Sequence, residues 1–253
     1  PETHALNHEV PVCWQILNTT NYLKEIIMSE IIKLTAKDGI ELAACIAGDP
    51  ANAKGGVVVL QEIFGLNAHI RDLPQRFAEA GYYAVAPALF DRAEPGIELD
   101  YNADGKTRGI DLKNAVDADT IIDVSAAIDL ARSAGLVSIV GFCWGGSLAW
   151  RAATCLGGLA GAVSYYGGEL PSKAGLVAHC PVLTHFGSRD AGIPMEGVNA
   201  FIKAQADAAP AVETHIYDAD HGFNCDARGQ FDAAAASLAW DRTIGFLDRV
   251  CRA

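Results

Sequence analysis

From Ile31 onward the chain alternates short apolar runs with longer segments whose apolar positions recur at helical spacing. Ile31–Leu34 and Leu42–Ile46 flank Lys37-Asp38-Gly39, and an Asp-Gly step between two such runs predicts a hairpin. Gly56–Leu60 is β-branched without alternation, as a strand covered on both faces should be. Asp72-Leu73-Pro74 predicts a helix start, with an acidic cap and an early proline, and Gly81 its end. Tyr82–Ala86 reads as the next strand. Asp91–Gly109, with Pro95, three glycines and several charges, predicts a long loop, and Leu112–Arg132 a single helix with Val116, Val124 and Ile128 on one face. The second half repeats the alternation. Val137–Phe142, Gly161–Tyr165, Pro181–Phe186 and Val212–Tyr217 read as strands; Gly145–Leu156, Gly197–Ala208 and Phe231–Val250 read as helices. The expected architecture is α/β: one domain with a mostly parallel, doubly wound sheet, right-handed crossovers and an N-terminal hairpin.

Composition narrows the function classes. Of 253 residues, 51% are hydrophobic and 20% charged, which excludes a disordered or fibrous chain. The net charge of −12 repels phosphate backbones and anionic lipid, so neither nucleic acid nor a membrane surface is an expected partner. No apolar run approaches the roughly 18–20 residues that cross a bilayer. The seven cysteines stand at irregular spacing without a C-x-x-C pair, which predicts free thiols in a reducing, cytoplasmic compartment. His179 and His185 have no partner at metal-ligand spacing, so no metal and no cofactor are expected. Residues 1–27 lack the basic start and apolar stretch of a signal peptide. Met28, the first methionine, reads as a natural start behind a leader, with an N-terminal strand or partner arm as the rival reading.

The sharpest chemical feature is Gly141-Phe142-Cys143-Trp144-Gly145-Gly146, between a predicted buried strand and a predicted helix. The pattern is G-x-nucleophile-x-G with cysteine at the nucleophile position. Small residues flank Cys143 because the chain must turn sharply there, which lifts the thiol above the sheet's C-terminal edge. The following helix N-terminus favours the thiolate and offers the Trp144 backbone N–H to a developing oxyanion. Alone, this turn is equally compatible with close helix–strand packing around an inert cysteine. Asp190 follows the strand Pro181–Phe186, and His221 follows the strand Val212–Tyr217. The chain order nucleophile, Asp, His is that of α/β-hydrolases, with all three at one sheet edge. His221 would act as base and ion-pair partner of Cys143, and Asp190 would fix its tautomer. Asp218 and Asp220 are lesser candidates for the acid, because they stand too close to His221 in sequence to reach around its ring. Gln61-Glu62-Ile63-Phe64-Gly65 follows the strand Gly56–Leu60, where this fold supplies a second oxyanion N–H, here from Ile63.

The Q-E-I-F-G stretch at Gln61–Gly65, the G-x-C-x-G-G elbow and the H-G-F segment at His221–Phe223 together resemble the dienelactone hydrolase (carboxymethylenebutenolidase) family, from about Ile31 to the C-terminus. The resemblance implies an α/β-hydrolase domain, a triad of Cys143, Asp190 and His221, and hydrolysis of a small ester or lactone through an acyl-enzyme. It also implies that Glu62 contacts the resting thiol and accepts its proton when substrate binds. The family holds a substrate carboxylate with arginines, one of them four residues after the histidine. That position is Cys225 here, with Arg228 the nearest arginine, which separates this chain from dienelactone itself. Lys106 and Arg108 are candidates for a second substrate-binding cation, with Phe64 and Phe223 as further substrate contacts. Glutamine amidotransferases also carry a cysteine elbow, but they need a His-x-Glu segment, and none follows Cys143. An inactive binding or regulatory module would be expected to have lost part of the triad, and an amide-hydrolysing acyl transfer is the remaining alternative. Oligomeric state is not legible from these residues.

Overall fold

The computed structural model describes residues 29–251; the readings of a leader over 1–27 and a start at Met28 fall outside them. Eight strands form one sheet in the order β1-β2-β4-β3-β5-β6-β7-β8. β1 (Glu30–Thr35) and β2 (Glu41–Ala47) make the predicted antiparallel hairpin, and β2 also runs antiparallel to β4 (Tyr83–Pro87). The remaining neighbours are parallel: β3 (Gly56–Leu60), β5 (Val137–Phe142), β6 (Gly161–Tyr165), β7 (Val182–Gly187) and β8 (Val212–Tyr217). β3 to β7 are buried from end to end, which is why their sequences are apolar runs without alternation. β8, at the sheet edge, is only partly covered.

The helices lie over this sheet in packed pairs. α1 (Ala68–Glu79) meets α6 (Ala233–Val250) through Phe77 and Trp240, whose ring centroids are 4.8 Å apart. α3 (Thr120–Ala131) abuts α4 (Trp144–Cys155), and α5 (Met195–Ala204) sets its buried Phe201 against Trp150 of α4. Among the described residues no helix is long and apolar enough to cross a membrane.

Three expectations are corrected. The helix expected to start at Asp72 begins at Ala68, where the Asn67 side chain accepts the Ile70 N–H at 3.2 Å; Pro74 therefore lies inside the helix. The loop expected over Asp91–Gly109 becomes helical from Ala103, as the start of α2 (Ala103–Val116), because Asn102 accepts the Gly105 N–H at 2.8 Å. The single helix expected over Leu112–Arg132 is two, α2 and α3, broken at Asp117–Asp119. Arg151 of α4 holds that break open: it donates to the Asp117 backbone carbonyl at 2.9 Å and to both its carboxylate oxygens. Cys45 and Cys180 are buried, as small core residues should be, whereas Cys155, at the end of α4, is exposed.

The register of the parallel strands places the chemistry. Leu60 pairs with Gly141, Phe142 with Tyr165, Tyr165 with His185, and Gly187 with Tyr217. Five strands thus end in line. Residues 61–65, 143, 166, 188–190 and 218–221 leave the sheet along one edge, where α/β folds collect their sites.

Candidate active site

Cys143 sits between β5 and α4 with φ +55°, a strained conformation for a non-glycine residue. The turn is held by Cys143 N–H donating to Tyr165 O at 3.0 Å and by Gly145 N–H donating to Gln61 O at 3.0 Å. A Cβ on Gly145 would lie 2.2 Å from Leu60 O, so only glycine lets α4 start this close to the end of β3. Trp144 opens α4 and its N–H is one of the free first-turn donors of that helix. Its indole stacks on Phe90 and donates to Asp117 at 3.3 Å, joining the elbow to the α2–α3 break.

The structure brings Cys143, His221 and Asp190 into one chain. His221 Nε2 is 3.1 Å from Cys143 Sγ, and His221 Nδ1 is 2.6 Å from Asp190 Oδ2. Asp190 is buried, and its second oxygen accepts the Gly192 N–H at 2.8 Å. Asp218 turns away to Arg189, so the choice of Asp190 over its neighbours is one of position. Burial alone would push the His221 pKa down. The hydrogen bonds to Asp190 and Cys143 and the nearby charges outweigh burial and push it up to about 10. Tyr166, also at positive φ, packs its ring 5.1 Å from His221.

Glu62 is wholly buried, and its carboxylate accepts from Arg228 Nη1 at 3.1 Å. The Cys143 sulfur is hydrogen-bonded to His221 and not to Glu62, so the contact with the resting thiol that the family resemblance implies is not made: Arg228 holds one Glu62 oxygen, and the other has no hydrogen-bond partner among the described residues. Burial would lower the Arg228 pKa, but the Glu62 charge beside it holds it above the ordinary arginine value. The guanidinium also lies against Phe64 and Tyr101, 5.7 and 5.5 Å from their ring centroids. Arg228 was visible in the sequence only as an arginine seven residues after His221; its partnership with Glu62 was not.

A cavity of roughly 350 Å³ opens over these groups. Its wall includes Ile63, Phe64, Lys106, Cys143, Asp190, His221 and Arg228, with Asp220 and Gln230 at the same opening. Two expected substrate contacts are corrected. Arg108 is half exposed and paired with Glu94, because α2 points it away from the opening. Phe223 is fully buried among Tyr165, Tyr166 and Tyr217 and shapes the core beneath the site.

Comparison with known proteins gives a consistent answer. A sequence model of the Dienelactone hydrolase family matches residues 42–251. Carboxymethylenebutenolidase of Pseudomonas putida is 35% identical over 232 residues, covering 87% of this chain and 97% of its own. Carboxymethylenebutenolidase 1 of Cupriavidus pinatubonensis is 30% identical over 235 residues, with the same coverages. Among solved structures, a Klebsiella pneumoniae protein provisionally described as a dienelactone hydrolase superposes with a TM-score of 0.74 at 28% identity, covering 87% of this chain and 97% of its own.

Proposed function

The chain belongs to the dienelactone hydrolase family and is a hydrolase of ester or lactone bonds, and from that premise we propose that it cleaves its substrate through a covalent acyl-enzyme on Cys143. The observation that carries the reading is the Cys143–His221–Asp190 hydrogen-bonded chain at a cavity wall. Protonated His221 beside the sulfur stabilises the thiolate, which attacks the ester carbonyl carbon. The carbonyl oxygen takes the negative charge between the backbone N–H groups of Ile63 and Trp144. Collapse of this adduct breaks the C–O bond, and His221 returns a proton to the leaving oxygen. Water activated by His221 then hydrolyses the thioester and regenerates the thiol.

Glu62 and Arg228 assign the substrate class within this reading. One guanidinium, already spanning Glu62 and the cavity, gives a substrate carboxylate a partner. Lys106 adds a second cation to the same wall. A carboxylate that draws Arg228 toward itself loosens its hold on Glu62, which is then available to take the thiol proton. Arg228 thus supplies, from seven residues after His221, the charge that the family carries four residues after it. The site fits a small lactone or ester with its own carboxylate.

The test is a panel of lactones and short-chain aryl esters, in matched pairs with and without a substrate carboxylate, assayed before and after thiol blocking. Thiol-sensitive turnover with at least tenfold higher kcat/KM for the carboxylate member of each pair is expected. Turnover insensitive to thiol blocking would remove Cys143 from the mechanism, and no preference within pairs would remove Arg228 from substrate binding.

A further inference from the structure

Behind the Glu62–Arg228 pair, a second cluster of ligating side chains uses none of the groups assigned above. His69, in the first turn of α1, meets Cys225 and Asp226 of the loop after β8, and one ligand atom from each lies within 4.8 Å of the others. His69 Nδ1 is 3.3 Å from Asp226 Oδ1. The His69 side chain is only 2% exposed, yet its Nε2 has no hydrogen-bond partner among the described residues. The side-chain amide of Asn224, next to Cys225 in the chain, is likewise buried and unpartnered among the described residues. Buried polar atoms are nearly always paired, so an unpaired amide next to a cysteine whose sulfur converges with a buried imidazole and a carboxylate points to a ligand.

We propose that His69, Cys225 and Asp226 form a binding site for a zinc-class divalent cation. Imidazole nitrogen, thiolate and carboxylate are together the donor set of a borderline-soft ion. In a tetrahedral shell with the usual bond lengths, donors lie about 3.3–3.6 Å apart. The His69 Nδ1–Asp226 Oδ1 separation of 3.3 Å already meets this, and the three donor atoms lie within 4.8 Å of one another. On binding, an S–metal bond replaces the Cys225 S–H bond and the proton leaves to solvent; His69 binds as neutral imidazole, Asp226 as carboxylate, and water fills the fourth position. Exposed Asp226 provides the way in. Backbone hydrogen bonds hold the loop that carries Cys225: its N–H donates to Gly222 O at 2.9 Å, and Arg228 N–H donates to Cys225 O at 3.1 Å. Because this short loop also carries His221 and Arg228, a bound ion would clamp α1 to the segment that positions both. This replaces the sequence expectation of no metal, which spacing along the chain could not have revised: His69 stands more than 150 residues before its two partners.

The test is spectroscopic and independent of hydrolysis. Chelator-treated Cys143→Ala protein, which lacks the proposed nucleophile as a competing thiol, is titrated with Co²⁺ and then with Zn²⁺. One equivalent of Co²⁺ should produce a near-ultraviolet thiolate-to-cobalt band and the visible d–d bands of a four-coordinate ion. Zn²⁺ should bleach both and raise Tm. Adding Cys225→Ser should abolish the charge-transfer band. His69→Gln and Asp226→Asn should each weaken binding by about tenfold or more, the scale on which metal sites respond to altered ligation. No band in the Cys143→Ala protein, a band surviving Cys225→Ser, or unchanged affinity in both His69→Gln and Asp226→Asn would overturn the site. Those results would leave the nucleophile reading untouched.

Discussion

At the scale of single residues, the proposed mechanism rests on one sulfur and one buried carboxylate. Cys143→Ala removes the proposed attacking atom, and kcat should fall by about 10⁴-fold or more. Cys143→Ser keeps shape, but its hydroxyl cannot form an ion pair with His221, so it too should be severely impaired. Both are read by burst kinetics, and full activity in Cys143→Ala would end the nucleophile assignment. Glu62→Gln keeps volume and removes charge. If Glu62 accepts the thiol proton, acylation should slow by about 10²-fold, with deacylation little changed; acylation at the wild-type rate would make Glu62 structural. Arg228→Gln differs in kind. It leaves a fully buried carboxylate without its cation, and should cost about 3 kcal/mol of stability in denaturant melts.

Elements set where these residues meet. α2, which the sequence pattern places partly in a loop, presses directly on the proposed oxyanion hole: a Cβ on Gly109 would lie 1.8 Å from Ile63 O. Ile63 can keep its peptide orientation only while glycine faces it. Gly109→Ala should therefore displace the Ile63–Phe64 peptide and, through the shared Ile63 Cα, turn the Ile63 N–H off the oxyanion position, lowering kcat by about 10²-fold, as loss of an oxyanion donor does. KM should change less, and Lys106, one helical turn away, should remain in the cavity wall. Comparison of kcat and KM in this variant checks the point; wild-type kcat would show that the Ile63 N–H does not serve the reaction. The α2–α3 break serves the same end, because Asp117 ties Arg151 and the Trp144 indole together where the elbow helix begins.

For the whole molecule, two histidines bend the stability–pH profile in opposite directions. The folded-state pKa of His221 is raised to about 10, against an ordinary value near 6.5. The stability it contributes is fully present below about pH 6.5 and is lost as pH rises towards 10. His185 is buried between hydroxyls, with Nδ1 2.8 Å from Tyr217 Oη and Nε2 3.1 Å from Thr243 Oγ1, and burial holds its pKa well below the ordinary value. Its contribution is present above about pH 6.5 and is lost as pH falls below it, because the unfolded chain takes up a proton that the folded one refuses. Tm measured across pH 4–10 should fall on both sides. His185→Gln should flatten the acid limb and His221→Gln the alkaline limb. An acid limb unchanged by His185→Gln would exclude neutral His185 as its cause.

The alternation of apolar runs and helical periods determined the α/β class, because covering both faces of a parallel sheet demands that pattern of every strand. It also placed Cys143, Asp190 and His221 at one edge, since each follows a strand end within a few residues and parallel strands end on the same side. Those inferences needed only local backbone geometry and chain order. The tertiary structure decided what depends on residues far apart in sequence. Arg151, 34 residues beyond Asp117, divides one apparent helix in two. Glu62 finds Arg228 across 166 residues, and His69 finds Cys225 and Asp226. Strand register sets which side chains meet at the sheet edge, and register is a property of the packed core; no periodicity along the chain encodes it.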